Sequence, residues 1–479
     1  KAGDAAANPD GDVSPDAGAE PKKPALAEFP TRTVTLGSTD PATGYAMTVD
    51  ITSVGAAIQA ATLNDVRYPV AENPDGLDPL PQLRVIGNNL KRDEVVKALS
   101  VDRKTMTFDL QIAEIDAALK KLKNRASLRT LNWEVLGPVE HDPDNKDVVS
   151  AVTFRFAVPS LNLEVRKKFQ LNRVLKAAAD GTELLDTDAT AYQLDVSLQL
   201  RNTGQEDHTV QYVLQGPVGL PLENADVARK YRDIKAGFLE TGGGIDSRTI
   251  SASEIEKAVD KKDVETLGRP VKFIGVDVQY FAALVVPVGN QLKKQYFSGI
   301  VPSIIVRGEE GSLSDISFEM TSEELNVPAD GVVDHRFKLY FGPKRRELLN
   351  AYGADSIIDF GWFAFISHGM VALMHTFHGW GVPYGLAIIM LTVIVRGCMF
   401  PISRKQAASS KKMKDLQPLL NELREKFKDD KQGLAKAQME LYRKVNFNPL
   451  AGCFPVLLQL PIFIALYQAL NNYVDVRMA

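Results

Sequence analysis

The residue in the most unusual chemical setting is Arg396, near the end of a run of about twenty mostly apolar residues. The run spans Gly381 to Phe400, and Arg396 is its only charged residue. A guanidinium does not lose its proton in a protein, so this charge is permanent. Thr392 lies four residues earlier and shares the same face of a helix. Together the two side chains could hold a polar or acidic group electrostatically.

Two interpretations of Arg396 remain open from its position alone. A long Arg side chain near a membrane boundary can bury its stem and place its charge among the lipid head groups. Alternatively, the side chain faces a wet cavity among several helices, which avoids the roughly 2.5–3.5 kcal/mol cost of a charge at the bilayer centre. Only the second interpretation lets Arg396 act on another polypeptide.

Other patterns that could support chemistry are weaker. His368, His375 and His378 have spacings that could bring imidazoles together, but no Cys or carboxylate lies at a matching spacing for a metal site. The glycines at 242–244 lack the Lys-Ser/Thr of a phosphate loop and indicate a flexible loop tip. No spacing singles out a carboxylate pair for sugar hydrolysis. We therefore predict no catalytic residue, no metal, no cofactor and no small-molecule substrate.

The charge distribution indicates how the chain is placed across a membrane. At 1.5 Å per helical residue, the apolar run matches a hydrocarbon core of ~30 Å. Residues 401–448 hold 12 Lys and Arg against 6 Asp and Glu, whereas residues 1–350 hold 42 against 51. Because short loops rich in Lys and Arg stay in the cytosol, we expect 401–448 to be cytosolic and 1–380 periplasmic. The only two cysteines, Cys398 and Cys453, fall outside the periplasmic part, whose fold therefore needs core burial and not disulfides.

The periplasmic part reads as a linker followed by a β domain. Residues 1–28 are too poor in large apolar side chains to fold and predict a disordered linker. Residues 29–345 show period-two alternation, which predicts a large antiparallel β-sandwich. Helices are predicted over 112–124 and 252–262. The predicted strands are Thr31–Leu36, Tyr45–Ile51, Thr105–Leu110, Val152–Ala157, Tyr192–Leu200, Tyr280–Val286 and Arg336–Phe341.

The next segments predict helices at and beyond the membrane. Residues 346–380 are rich in aromatic side chains but too polar to span, which favours an amphipathic helix in the outer interface. Residues 381–402 predict a transmembrane helix. Residues 403–447 carry two apolar seams with helical spacing and predict a cytosolic helical hairpin that begins its second arm near 429–432. Its basic residues either form a solvated face or contact lipid head groups, ribosomal RNA or a nascent chain; they include Lys411, Lys412, Lys414 and Arg424.

Residues 448–474 predict a second transmembrane helix that returns outward, and 475–479 the start of a periplasmic loop. Gln459 would lie near the middle of the membrane, where an amide needs a partner helix or water. Pro455 and Pro461 free backbone carbonyls with the same need. Two helices would satisfy these groups poorly, so we expect further membrane segments before residue 1 and after residue 479.

Several motifs together resemble one known family. They are Thr392–Pro401 (TVIVRGCMFP), Met413–Pro418 (MKDLQP), Asp429–Gln432 (DDKQ) and Asn448–Tyr467 (NPLAGCFPVLLQLPIFIALY). These stretches are similar to the YidC/Oxa/Alb membrane protein insertases, a match that covers about 110 residues well. More loosely, residues 45–60, the region of Tyr280 and Phe341–Pro343 resemble the large periplasmic domain of Gram-negative members.

The resemblance implies a β-supersandwich in the periplasm and five inner-membrane helices around a hydrophilic groove that opens to the cytosol and lipid. It implies that Arg396 is the groove arginine, with Thr392 and Gln459 also lining the groove. Substrates would slide along the helix that carries Pro461, Phe463 and Tyr467. The implied protein is a multi-pass inner-membrane insertase and chaperone, and its implied partners are nascent membrane proteins, the Sec translocon, the ribosome and membrane lipids.

Two other classes of function remain as alternatives. One is a membrane-anchored envelope protein whose sandwich binds or hydrolyses carbohydrate. The other is a channel or transporter, which ion flux through the reconstituted protein would reveal.

Overall fold

The computed structural model describes residues 27–65, 67–69, 82–87, 105–123, 126–177, 183–185, 190–222, 232–358, 361–428, 430–445, 450–472, 474 and 477. The predicted linker, residues 1–28, lies outside these ranges except for its last two residues. The start of the second membrane segment at Asn448–Pro449 also lies outside them.

The described part of the β domain contains strands β1 to β22. Strands β1 to β11 are Thr33–Gly37, Met47–Thr52, Ala57–Leu63, Arg84–Ile86, Leu110–Ile112, Glu134–Val135, Glu140–His141, Val149–Val158, Leu163–Leu171, Leu175–Ala177 and Glu183–Leu185. Strands β12 to β22 are Gln193–Asn202, His208–Val210, Tyr212–Gln215, Asp233–Leu239, Ile245–Ser251, Val271–Asp277, Phe281–Pro287, Phe297–Val306, Asp315–Ser322, Leu325–Val327 and Val332–Pro343.

These strands form an antiparallel sandwich, which confirms the predicted fold class. The main sheet has ten strands in the order β16-β15-β17-β18-β22-β12-β9-β8-β6, with β7 also paired to β8. Two four-stranded sheets, β1-β2-β3-β4 and β19-β20-β14-β5, contribute to the same apolar core. The pairs β10-β11 and β13-β21 are two-stranded ribbons.

The alternation of side chains along the central strands explains the layering. In β12, Leu194, Val196 and Leu198 are buried, while the residues between them are half-buried. One face of the sheet therefore packs into the core and the other contacts water. β18 is different because all seven of its residues are buried, so protein covers both of its faces.

Two short helices flank the sheets within the predicted ranges. Helix α1 is Ala113–Leu122, with acidic residues in its first turn and lysines in its last, as the helix dipole favours. Helix α2 is Ala252–Lys261. It begins at a capping box in which Ser251 and Glu254 each accept from the other's backbone N–H.

One predicted strand is wrong. Thr105–Leu110 is irregular up to Asp109, and β5 begins only at Leu110. Phe108 has φ of 64°, in the left-handed region that no strand residue occupies. Its carbonyl accepts a hydrogen bond of 2.7 Å from the buried ammonium of Lys167. A long-range contact thus overrides the local alternation of side chains.

The C-terminal part is helical. The helices are α3 Arg346–Asn350, α4 Ala364–Gly379, α5 Tyr384–Lys426, α6 Lys431–Lys444 and α7 Leu450–Asn472. The structure differs from the predicted break near residue 402, because α5 continues through Pro401 and Pro418 for 43 residues. A proline removes one backbone hydrogen bond, and the good helix formers around it keep the helix continuous. The predicted interfacial segment 346–380 comprises α3, short 3₁₀ turns and α4.

Helices α4, α5 and α7 pack around a small core. Met370 and Met374 of α4 and Leu391 of α5 are buried there, with Ile462 and Leu466 of α7 against them. The predicted hairpin forms by packing of α6 on the last part of α5. Its centre contains Leu416 and Leu420, contacted by Met413, Leu441 and Tyr442.

Candidate functional site

The candidate groove residues on α5 occupy one exposed flank of the helix. Thr392 and Arg396 are both exposed, one helical turn apart. Each directly follows a residue, Leu391 or Val395, that packs into the three-helix core. The Thr392 hydroxyl donates to the Ile388 carbonyl at 2.8 Å, so its oxygen keeps lone pairs for another donor. The helix therefore presents a positive charge and a hydroxyl oxygen side by side.

The surroundings of Arg396 are apolar and open. The segment Tyr384–Pro401 is long and apolar enough to cross a membrane, and only 11% of it is buried in the structure. Leu386, Ile389 and Val393 are at least half exposed. So large an apolar surface is unstable in water and marks contact with lipid or with other apolar helices. The exposed guanidinium of Arg396 thus lies on the same helix as a large exposed apolar surface.

The candidate residues Gln459, Phe463 and Tyr467 follow one another at four-residue spacing along one side of α7, and Pro461 lies on another side. Phe463 and Tyr467 are one helical turn apart and 49% and 54% exposed, so they form an outward aromatic edge. Gln459 and Pro461 are half-buried nearer the beginning of the helix. The described apolar stretch of α7 is Gln459–Leu470. This arrangement gives α7 an exposed face that an apolar segment of another chain could contact.

The structure places the candidate groove residues on neighbouring helices without joining them. Helices α5 and α7 meet through apolar side chains. Within the described residues, no hydrogen bond or ion pair links Thr392, Arg396 and Gln459. The groove that the resemblance implied therefore remains a prediction.

The candidate recruitment residues lie along the first arm of the helical hairpin, the last part of α5. Lys411 and Lys414 are exposed in the middle of α5, and Arg424 is exposed near its end. The side chain of Lys412 lies outside the described part. Asp430 caps α6 by accepting from the backbone N–H of Gly433 at 2.9 Å, close to the predicted start of the second arm. The apolar contact between α5 and α6 thus fixes the position of the helix that carries these basic residues.

The three histidines near the outer interface do not form a metal centre. His378 lies against the Val382 carbonyl at 3.1 Å and stacks on Tyr384 with ring centroids 4.1 Å apart. No group of three or more His, Cys, Asp or Glu side chains in the described ranges could hold a metal ion. These contacts indicate that His378 helps to fix the turn between α4 and α5.

A cavity of about 430 Å³ opens on the outer face of the ten-stranded sheet. Its wall includes Ser197, Asp334 and Arg336. The hydroxyl of Ser197 and the guanidinium of Arg336 both donate to the Asp334 carboxylate, at 2.6 and 2.8 Å. These three polar groups therefore satisfy one another.

Ser367 is a contact that sequence reasoning missed. It is fully buried on α4, and its hydroxyl donates to the Ala465 carbonyl of α7 at 2.9 Å. An interhelical hydrogen bond of this kind fixes the position of α7 relative to α4. The only sequence signal was a small polar residue in an aromatic segment.

Two family models match the chain on either side of residue 374. Residues 131–373, about half of the chain, match the model of the YidC periplasmic domain. Residues 375–479 match the model described as 60Kd inner membrane protein. The two matches follow one another with a gap of one residue, and together they cover the sandwich from β6 onward and the helices from α2 onward.

Curated relatives carry the name membrane protein insertase YidC. The relative from Aeromonas hydrophila is 48% identical over 299 residues, which cover 60% of this chain and 50% of the relative. That from Nitratidesulfovibrio vulgaris is 34% identical over 236 residues, covering 49% and 40%. That from Vibrio cholerae is 28% identical over 444 residues, covering 85% and 74%. The chain spans about half or less of the length of the first two of these relatives.

Among solved structures, the chain is similar to the Slr1438 protein from Synechocystis, with a TM-score of 0.36 and 10% identity over 67% of this chain and 99% of that one. It is also similar to a galactose mutarotase related enzyme from Lactobacillus acidophilus. That match has a TM-score of 0.37 and 10% identity over 65% of this chain and 97% of the other.

Proposed function

The chain belongs to the YidC family of inner-membrane proteins with a periplasmic domain, and from this premise we propose that it helps newly made membrane proteins to enter the bacterial inner membrane. In this proposal the protein is not an enzyme. It binds a segment of another polypeptide, lowers the cost of bringing its polar part into the membrane and releases it sideways into lipid.

The observation that carries the proposal is the exposed Arg396 on a largely unburied apolar helix. A fixed positive charge in a low-dielectric setting attracts a carboxylate far more strongly than the same charge in water. Arg396 and Thr392 would hold the acidic or polar flank of an entering segment. The charge is already in place, so no reorganisation is needed when the segment arrives.

The second step would take place along α7. Phe463 and Tyr467 present an aromatic edge that the apolar part of the segment could contact on its way to lipid. Burial of apolar area contributes roughly 25 cal/mol per Å², so a spanning segment gains enough free energy to drive its own insertion. Gln459 would line the groove with Arg396 and Thr392, and Pro461 would belong with Phe463 and Tyr467 to the helix along which the segment slides. No nucleotide is consumed in this scheme.

Recruitment would begin at the helical hairpin. The exposed Lys411, Lys414 and Arg424 form a basic surface that fits an anionic partner. We propose the ribosome and anionic lipid head groups as these partners, with Lys412 belonging to the same surface. The Sec translocon is a further proposed partner.

The main test replaces Arg396 with alanine in the full-length protein. Insertion would be measured by protease protection of a small substrate that has an acidic residue in its translocated segment. We expect the rate of insertion to fall by about tenfold, equivalent to 1.4 kcal/mol. Arg396→Lys should keep most of the activity, because it keeps the charge.

Arg404→Ala is the matched control. Arg404 is also exposed on α5, but it lies beyond the apolar segment that ends at Pro401. The control should insert the substrate at the normal rate. If Arg396→Ala and Arg404→Ala are equally active with every substrate, the proposed role of Arg396 is wrong.

The hairpin is tested separately. Lys411→Glu with Lys414→Glu should weaken co-sedimentation with ribosomes, and the loss should be greater at low salt, where charges are less screened. Lys436→Glu is the control, because Lys436 is equally exposed on α6, the other arm. Equal binding by the double variant and the control would show that the basic surface of α5 does not recruit ribosomes.

A further inference from the structure

Two residues that follow α7, Val474 and Arg477, contact the periplasmic sandwich. Val474 follows the end of α7 by two residues, is 1% exposed and belongs to the sandwich core. Arg477 lies one turn further on, where its backbone N–H donates to the Val474 carbonyl at 3.1 Å. A residue that leaves a membrane helix and joins the core of a separate β domain is in contact with both regions.

The contacts of Arg477 define a specific receptor surface. Its Nη2 donates to the Pro69 carbonyl at 2.7 Å. Its guanidinium lies 5.4 Å from the centre of the Phe281 ring, in the range of a cation–π interaction. Phe281 is itself fixed, because it is fully buried and packs edge-to-face on Tyr68 at 5.9 Å. The Pro69 carbonyl and the Phe281 ring thus both contact the planar guanidinium of Arg477.

Both contacts suit a planar side chain. A guanidinium can donate to the Pro69 carbonyl while its flat face lies over the Phe281 ring, which favours Arg over Lys.

The sandwich also holds the chain where it enters the helices. Leu348 and Leu349 of α3 and Tyr352 just after it are buried in the sandwich core. Tyr352 donates to the Gln193 side chain of β12 at 3.0 Å. The chain then continues into α4, which is joined to α7 by the Ser367 hydrogen bond. The sandwich therefore holds the chain before α4, α4 bonds to α7, and two residues after α7 contact the sandwich again.

We propose that the sandwich carries a docking site for Val474 and Arg477 and thereby fixes the outer end of α7. The site is formed by Pro69 and Phe281, with Val474 and Arg477 as the two docked side chains. The sandwich acts on the helix that carries Phe463 and Tyr467 without approaching those residues. This inference concerns contacts within the chain, so its test is independent of the test of the proposed insertase activity.

Trypsin provides a direct test, because it must extract the Arg477 side chain in order to cleave after it. The full-length protein in spheroplasts, which expose the periplasmic face, would be digested and the peptide ending at Arg477 followed by mass spectrometry. Val474→Asp places a charge in the core and should release the segment. We expect cleavage after Arg477 to be at least about tenfold faster in this variant than in the original chain.

Two further measurements keep the result interpretable. Cleavage after Lys294, in an exposed loop of the sandwich, should proceed at the same rate in both proteins and shows that the domain stays folded. Arg477→Lys keeps both the trypsin site and the charge but loses the planar fork, and should be cleaved about threefold faster. Equal cleavage of all three proteins after residue 477 would overturn the docking site.

Hydrogen exchange tests the consequence for α7. In Arg477→Ala, backbone amides in the last turn of α7, residues 469–472, should exchange about tenfold faster than in the original chain. Amides at the centre of the same helix should not change. If the last turn exchanges at the same rate, the docked segment does not hold the helix, and the proposal fails at that point.

Discussion

The charged side chains of the sandwich and of the helices differ in burial and in pairing. In the sandwich, Lys344 and Asp277 form an ion pair at 2.9 Å with both side chains 3% exposed. Arg129 and Asp109 form another at 2.7 Å, 7% and 0% exposed. On α5, by contrast, Arg396 is exposed on an apolar surface, and the structure shows it no partner among the described residues.

This difference separates charges that stabilise the fold from a charge that is available for function. A buried charge must be paired within the protein, because desolvation otherwise costs several kcal/mol. Once it is paired, it has nothing left to offer a ligand. A charge in an apolar surface that is paired with no group of the chain keeps its full attraction for an incoming anion. The contrast predicts opposite results when the same kind of substitution is made in each region.

The largest effect should come from breaking a buried ion pair. Asp277→Ala leaves the Lys344 ammonium unpaired in the sandwich and should lower the free energy of unfolding by about 3–5 kcal/mol. Denaturant unfolding of the full-length protein followed by the sandwich signal would measure this. The double variant Asp277→Ala with Lys344→Met should recover part of the loss. If the double variant is no more stable than the single one, the unpaired charge is not the cause.

Lys167 gives the next largest effect. Its ammonium is fully buried and donates to the carbonyls of Gly55, Ala56 and Phe108, at 3.2, 3.1 and 2.7 Å. Lys167→Met leaves these carbonyls without their donor and should cost about 3 kcal/mol, since each unsatisfied buried group costs roughly 1–3 kcal/mol. Thermal or denaturant unfolding would show the loss.

The Lys167 result should also depend on pH. Burial lowers the pKa of Lys167 to about 7 from an ordinary value of 10.5. Between these values the unfolded chain binds more protons than the folded one, so the stability of the original protein rises with pH relative to Lys167→Met. The difference between the two proteins should therefore be larger at pH 9 than at pH 6. An equal difference at both pH values would show that Lys167 does not titrate in this range.

Local patterns in the sequence predicted many strands of the sandwich. They did not predict the left-handed backbone conformations of the residues that bind the Lys167 ammonium. The alternation that defines β8, β12 and β22 is a local property, so those strands were predicted within a few residues. The conformation of Phe108, and that of Ala56 with φ of 44°, is set by a lysine more than fifty residues away in sequence. No local pattern records such a contact.

The helices show the same limit. The apolar run, the hairpin seams and the cap at Asp430 follow from spacing, and each appears in the structure. The continuity of α5 through Pro401 and the docking of Val474 in the sandwich depend on packing between distant segments. The sequence could place Arg396 on an apolar helix, but the arrangement of the helices around it depends on such distant contacts.

A smaller effect should come from His335 and Asp233, whose contributions to the stability of the sandwich depend on pH in opposite directions. Burial lowers the pKa of His335 to about 4 from an ordinary value of 6.5, so its stabilising contribution is present above pH 6.5 and is lost as the pH falls towards 4. Burial, aided by Asp277, raises the pKa of Asp233 to about 6 from 3.8, so its contribution is present at low pH and is lost as the pH rises through 6.

The two residues can be separated by substitution. Between pH 7.5 and 5, His335 should destabilise the sandwich by about 2 kcal/mol, and Asp233 should offset part of this loss. Asp233→Asn should therefore lose stability on acidification more steeply than the original protein, whereas His335→Gln should gain stability. Unfolding curves at the two pH values measure both slopes. If the slopes of both variants match that of the original protein, neither residue titrates as described.

The smallest expected effect is the most informative for the comparison. Arg396→Ala should change the stability of the protein by no more than about 0.5 kcal/mol, because an exposed side chain that bonds to no described group leaves none unpaired. Arg129→Ala, the same substitution in the sandwich, should cost about 3–5 kcal/mol because it strands the buried Asp109. Thermal unfolding in detergent or nanodiscs would measure both. A loss of several kcal/mol for Arg396→Ala would mean that Arg396 stabilises the fold. Arg396 would then be a structural charge and would not be available to a substrate.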